Sequence, residues 1–163
     1  MRHSIPFFTA APLVAVLLAG SALSGCGVKV TQMYVGEKLP PDKVAIIEPM
    51  DVMKFLQGHG IRTYIAAVDG QTLGEGAAEV LPGRHTVSTA AALFMGYEIT
   101  TFVPEKPFTF DAQAGHTYRV MGHFFVEPAP IFAIFSDSEE TPPTIWIEDK
   151  ESKEVVAGEK PPQ

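Results

Sequence analysis

Cysteine occurs once in the 163 residues, at Cys26, so the chain has no intramolecular disulfide and no multi-cysteine zinc site. Basic residues are also scarce. There are 12 Lys+Arg against 19 Asp+Glu, a net charge of -7. A sequence-independent nucleic-acid binder needs a basic face to neutralise phosphates, so that class is set aside. Long apolar runs are missing too. The stretch Leu13–Ala19 is preceded by Pro6 and Pro12 and dissolves into Gly20, Ser21, Ser24 and Gly25, short of the roughly 20 residues a spanning helix needs. Enzyme signatures fail in the same way: there is no G-x-S-x-G elbow and no P-loop. Gly74-Glu75-Gly76 holds only two of the three glycines of a dinucleotide loop. What remains is a chain with 46% hydrophobic and 19% charged residues, too apolar for disorder and long enough for one domain.

Residues 1–25 have the layout of a secretory signal peptide: Arg2 and His3 at the start, an apolar middle, and small residues before Cys26. Leu23-Ser24-Gly25-Cys26 resembles the lipobox of bacterial lipoproteins. The resemblance implies cleavage between Gly25 and Cys26 and a thioether-linked diacylglyceryl group on Cys26, with palmitate-type acyl chains. It also implies a membrane contact made by lipid, and Gly27 after the cysteine points to the outer membrane, facing the periplasm. One acyl chain binds a bilayer only marginally, whereas two or three on one residue hold firmly. A lone thiol in an exported chain is consistent with this, because an oxidising compartment disfavours a spare reactive sulfur. Taking away residues 1–25, which hold one base and no acid, moves the net charge from -7 to -8. Electrostatics would not hold such a body to an anionic surface.

Residues 26–43 read as the lipidated cysteine and a tether, stiffened by Pro40-Pro41, with a short strand at Lys29–Met33. Residues 44–157 are punctuated as an all-β domain, an antiparallel β-sandwich. The spacing predicts strands at Val44–Glu48, Ile61–Val68, Arg84–Ala92, Glu98–Val103, Phe108–Ala112, Thr117–Val126, Thr144–Glu148 and Glu154–Ala157. Asp69-Gly70, Pro82-Gly83 and Ala114-Gly115-His116 supply turns. Residues 51–57 carry an N-cap aspartate, apolar Val52, Phe55 and Leu56 and a following glycine, which predicts one short helix. Ser88–Met95 reads as strand followed by loop, and residues 158–163 as a flexible tail.

Ala67-Val68-Asp69-Gly70, Leu81-Pro82-Gly83-Arg84-His85-Thr86-Val87 and Gly96-Tyr97 resemble the pattern of PEGA-type domains. These are small envelope β-sandwiches similar to transthyretin-like folds. The same core followed by Phe110-Asp111-Ala112 and Gly115-His116-Thr117-Tyr118 resembles a group of uncharacterised bacterial lipoproteins. The likeness spans about Val44 to Val126 and implies architecture and location, since neither group carries a catalytic motif. Val68, Leu81, Val87, Tyr97, Phe110 and Tyr118 are the candidates to fill such a core.

No catalytic residues are assigned and no cofactor beyond the lipid on Cys26. His85, His116 and His123 are candidate metal ligands only if strands bring them together with a carboxylate such as Asp111 or Glu127. Their spacing fits neither one strand face nor one helix face. The acidic stretch Ser136–Glu140 lacks the alternating oxygen ligands of a calcium loop. The apolar segment 124–135, with Phe132 and Phe135, is either buried core or an exposed patch for an envelope protein partner. The expectation is a non-enzymatic, membrane-anchored lipoprotein acting as a binding or structural module. The alternatives are a metal- or small-ligand-binding lipoprotein using the strand-edge histidines, and a hydrolase with an unrecognised site.

Overall fold

The computed structural model describes residues 28–54, 59–95, 98–124 and 142–162. Cys26, the signal region, Tyr97, Glu127 and the candidate patch Phe132 and Phe135 lie outside the described residues. The described chain is all β. Its strands are β1 (Val30–Gln32), β2 (Ala45–Pro49), β3 (Asp51–Lys54), β4 (His59–Val68), β5 (Gln71–Thr72) and β6 (Ala77–Val80). They continue with β7 (Gly83–Met95), β8 (Glu98–Phe102), β9 (Phe108–Ala112), β10 (Thr117–His123), β11 (Thr144–Asp149) and β12 (Val155–Gly158). The first sheet has the order β1-β6-β2-β10-β11-β12. The second has β3-β4-β7-β8, with β5 added to β4 and β9 to β7.

The two sheets pack as a sandwich because alternate residues of both point into one core. Ile47, Val80, Val120 and Ile147 come from the first sheet, and Ile61, Ile65, Val87, Ala91 and Phe110 from the second. Along β4 the alternation is clean, with Ile61, Thr63 and Ile65 buried and Tyr64 outside. A bulge between Ile65 and Ala67 then shifts the phase. That extra residue is why Val68, three positions after Ile65, is also buried, at 1% exposure. Across the core the rings of Phe110 and Tyr118 meet with centroids 4.8 Å apart at 59°.

Every pairing of the second sheet is antiparallel, as expected. The first sheet is mixed: β1 runs parallel to β6, and β2 parallel to β10. The cause lies at Pro49 and Met50. There the chain leaves the first sheet and at once enters the second as β3, so β2 cannot form a hairpin with its successor in its own sheet. The chain returns to the first sheet as β6, antiparallel on one side of β2, and after a second excursion as β10, parallel on the other, where a parallel neighbour requires such a long connection.

Thr63 fixes that corner. Its hydroxyl accepts the N–H of Met50 at 2.7 Å and donates to the carbonyl of Val120 at 2.7 Å, and its own N–H donates to the Met50 carbonyl at 2.9 Å. One fully buried residue of the second sheet thus ties the crossover to a strand of the first. Gly122 allows the approach. A Cβ there would lie 2.7 Å from Ile61 Cδ1 and 3.1 Å from Thr63 Cγ2.

Three sequence expectations change. Asp51–Lys54 is not helical but pairs with β4, Asp51 opposite Arg62 and Lys54 opposite His59, so the partner strand overrides a local helix pattern. β7 runs without a break through Met95, because its second half is held between β4 and β8. Leu81 is 40% exposed in the turn before β7 rather than in the core. The short strand expected at Lys29–Met33 is present as β1 (Val30–Gln32), and it is held in the sheet: Lys29 and Glu79 carbonyls accept the N–H groups of Ala77 and Met33 at 2.8 and 2.9 Å. The Tyr34 hydroxyl donates to Glu79 at 2.8 Å, and a 3-10 turn follows at Pro41–Lys43.

Two isosteric substitutions should have opposite signs. Thr63→Val orphans Met50 N–H and Val120 C=O and should cost about 2–3 kcal/mol in urea unfolding. Thr89 is also buried, but its Oγ1 has no partner among the described residues, so Thr89→Val should leave stability unchanged or raise it by about 1 kcal/mol. Equal midpoints for the two variants would contradict the assignment.

Candidate functional site

The histidines singled out from sequence fall into separate places, and two of them bind aspartates. Asp69 and Gly70 form the tight turn between β4 and β5 with φ of 51° and 79°, a left-handed pair that aspartate and glycine tolerate best. The Asp69 carboxylate reaches across to the start of β7. Oδ1 accepts the N–H of Thr86 at 2.8 Å, and Oδ2 lies 2.6 Å from His85 Nδ1. His85 Nε2 lies 2.7 Å from the Leu81 carbonyl. A carbonyl only accepts, so Nε2 carries a proton. Burial opposes the charge on Asp69, but the Thr86 N–H and the His85 ring outweigh it and hold the carboxyl below its usual range. The ring thus bridges the Asp69 carboxylate and the Leu81 carbonyl, with one nitrogen on each. With both nitrogens engaged inside the chain, neither offers a lone pair to a metal in this arrangement.

The second pair is built from the turn after β9. Gly115, at φ 81°, gives its N–H to Val44 at 2.7 Å, and the His116 carbonyl accepts the N–H of Ile46 at 3.0 Å. The turn is thereby fastened to β2. The His116 ring stacks on Tyr118, 6.2 Å away and tilted by 19°, and Nδ1 lies 2.6 Å from Asp149 Oδ2. Asp149 Oδ1 accepts the N–H groups of Glu151 and Ser152 and the Ser152 hydroxyl at 3.0, 2.9 and 3.1 Å. Burial would raise the Asp149 pKa. These hydrogen bonds and the His116 ring overcome that and lower it to about 2. The carboxylate side chain is 6% exposed, whereas the His116 ring is 42% exposed.

A histidine oriented by a buried carboxylate is two-thirds of a nucleophilic relay, and the geometry decides what it can do. A nucleophile must stand at the far ring nitrogen, within about 2.6–3.2 Å. Here the neighbouring hydroxyl, Ser152, bonds to the carboxylate, at the opposite end of the pair. The pair also stands apart from the apolar cleft of about 180 Å³ lined by Phe102, Val103, Pro104, Phe108, Pro142, Pro143 and Ile145. What the contacts do is join β10, β11 and β2 at one end of the first sheet.

His123 closes β10 opposite Thr144 and is exposed. His116 stands just before β10 and His123 ends it, seven residues on, about 23 Å at roughly 3.3 Å per residue. His85 is the third residue of β7, in the other sheet, so the three candidates are not brought to one point. Among the described residues no group of three or more His, Cys, Asp or Glu is placed to hold a metal. Asp111 is an exposed residue of β9 opposite Arg84.

Sequence reasoning missed the carboxylates that matter, Asp69 as a ligand of His85 and Asp149 as a ligand of His116. The Asp149-Lys-Glu-Ser152 spacing was the available signal, because an aspartate followed three residues on by serine favours an Asx-type turn. It also missed a charged row on the outer face of the first sheet. Glu48, Arg119 and Glu148 stand in register on β2, β10 and β11. Arg119 binds Glu48 through Nε at 2.7 Å and through Nη2, and Lys150 reaches the same carboxylate at 3.0 Å. Trp146 Nε1 donates to Glu148 at 3.2 Å, and Lys160 lies 3.7 Å from it. Burial disfavours the Glu48 charge, but its two cationic neighbours prevail and keep the carboxyl below its usual range.

No family model matches the chain, and no curated protein or solved structure matches it either.

The Asp149 pair sets a pH dependence of known sign. A carboxyl whose folded pKa lies near 2, below the ordinary 3.8, contributes stability above about pH 4 that disappears as pH falls through about 2. Asp149→Asn keeps an acceptor for the turn but loses the charge facing His116. It should cost about 1–2 kcal/mol at pH 7, with the gap to the parent chain closing as the pH is lowered toward 2. Urea titrations at stepped pH check this, and a gap that stays constant would contradict it.

Proposed function

We propose that this chain is a bacterial lipoprotein: a non-enzymatic β-sandwich, PEGA-like or transthyretin-like, anchored by acyl chains on Cys26 after removal of residues 1–25. In this reading it faces the periplasm from the outer membrane and serves as a binding or structural module in an envelope assembly. One observation carries the reading. The only sulfhydryl in the sequence sits at the end of Leu23-Ser24-Gly25-Cys26, the position that acylation requires.

Three features support the non-enzymatic part. Both histidine–aspartate pairs close turns, and each aspartate is also an acceptor for backbone N–H groups of a neighbouring turn or strand. The described cleft is lined by apolar side chains and carries no titratable group. The outer face of the first sheet uses its charges on one another, in the row from Glu48 through Arg119 to Glu148. Such a body offers surfaces rather than a reaction centre.

Expression in a bacterial host with a labelled fatty acid tests the anchor. The mature chain should carry the label, fractionate with membranes and show a diacylglyceryl mass on an N-terminal Cys26. Cys26→Ser should lose the label and leave the membrane fraction. A membrane-bound Cys26→Ser chain, or an unmodified Cys26 in the parent, would refute the reading.

A further inference from the structure

The distance between Cys26 and the first pinned residue of the sandwich has a consequence for how the domain sits. The sheet does not begin after a spacer. The Lys29 carbonyl already accepts the Ala77 N–H at 2.8 Å, and β1 follows at Val30–Gln32. This start is locked. Gly76 has φ 95°, and a Cβ there would come within 2.0 Å of the Lys29 oxygen, so the β1 backbone lies directly on the turn before β6. Met33, Tyr34 and Leu39 continue the attachment, with Met33 N–H on Glu79, Tyr34 hydroxyl on Glu79 and Leu39 N–H on the Tyr34 hydroxyl.

Three residues fully extended reach about 10–11 Å. A diacylglyceryl sulfur sits near the boundary of hydrocarbon and headgroups, and the headgroup layer of one leaflet is roughly 5–8 Å thick. The edge of the first sheet therefore cannot rise more than a few ångströms above the headgroups. At that edge the apolar side chains are outside: Val28 is 56% exposed, Val30 45% and Val35 103%. The local charge does not oppose contact. Lys29, Lys38 and Lys43 stand against Glu37 and Asp42 between residues 28 and 43, so the acidic excess of the chain lies elsewhere.

We infer that the β1 edge, with Val28, Val30 and Val35, is a bilayer-contacting surface that seats the sandwich directly on the membrane in a fixed orientation. The inference rests on the lipoprotein reading and adds to it which face meets the lipid. The first sheet's β1 edge lies in the headgroup layer, and the loop joining β8 and β9 on the other sheet stays in water.

The test uses the mature acylated chain in phospholipid vesicles, with a polarity-sensitive fluorophore on single cysteines at Val30→Cys, Val35→Cys and, as reference, Glu105→Cys in the β8–β9 loop. Acylated Cys26 is a thioether and does not take the label. All three positions are exposed, so the labels do not disturb the core. Emission at positions 30 and 35 should shift to the blue on reconstitution, with aqueous quenching reduced about threefold or more relative to position 105. Equal quenching at the three positions, with the Cys26 adduct confirmed by mass, overturns this inference and leaves the anchor standing. A missing adduct overturns both. Protection seen equally in the Cys26→Ser chain without vesicles would mean that a second copy covers the valines, and also overturns it.

Discussion

The structure depends on how closely two sheets approach at a single crossover. Thr63 is fully buried, yet its hydroxyl has both an incoming hydrogen bond, from Met50 where the chain passes from β2 to β3, and an outgoing one, to Val120 on β10. A polar group sealed in a core is tolerated only when satisfied, and an unsatisfied one costs about 1–3 kcal/mol. The arrangement therefore selects one register for β3, β4 and β10 together, because a shift of any of them by one residue would orphan a donor or an acceptor. Gly122 is the steric counterpart: the same approach is closed to any residue with a Cβ unless Ile61 moves.

The two histidine–aspartate contacts follow from the same topology at the ends of the sheets. A sandwich with many short strands has many tight turns, and each turn leaves backbone N–H groups with no partner in a ladder. Asp69 and Asp149 accept those groups, and a histidine at the start of a neighbouring strand puts its Nδ1 2.6 Å from the other carboxylate oxygen. The Val68-Asp69-Gly70 and Leu81-Pro82-Gly83-Arg84-His85 segments are thus two halves of one clasp. Asp-Gly sets the left-handed turn, Pro-Gly returns the chain, and the imidazole spans from one turn's carboxylate to the other turn's carbonyl. Residue types that suggest chemistry in isolation are here consumed by turn closure.

The long strands were legible in the sequence because β-branched and aromatic residues alternate between Gly and Pro turns, as in β4, β9 and β10. Alternation encodes burial on one face without reference to the partner. Elements whose reasons are not local were hidden. β6 is Ala-Ala-Glu-Val, weak as a strand former, and exists because β1 and β2 pair on either side of it. β3 has the apolar spacing of a helix and is extended because β4 offers it a ladder. The histidines stand out in the sequence, but Asp149 lies 33 residues from His116 along the chain, and its Asp-x-x-Ser spacing announces the turn it closes rather than that contact. The Glu48–Arg119 pair, 71 residues apart, is invisible for the same reason.

The placement of charge then bears on how such a body could act. The outer face of the first sheet neutralises its carboxylates internally, with Arg119 and Lys150 on Glu48 and Lys160 beside Glu148. Paired charges of this kind attract neither an anionic surface nor a diffusing ligand strongly, since their fields cancel within a few ångströms. The second sheet is different: Ile99 on β8 is 64% exposed and Val103, just past its end, 73%, and Val103 also lines the apolar cleft with Phe102 and Phe108. Among the described residues β8 is an edge strand, paired with β7 on one side. A domain held to a membrane at β1 would turn this second edge toward water.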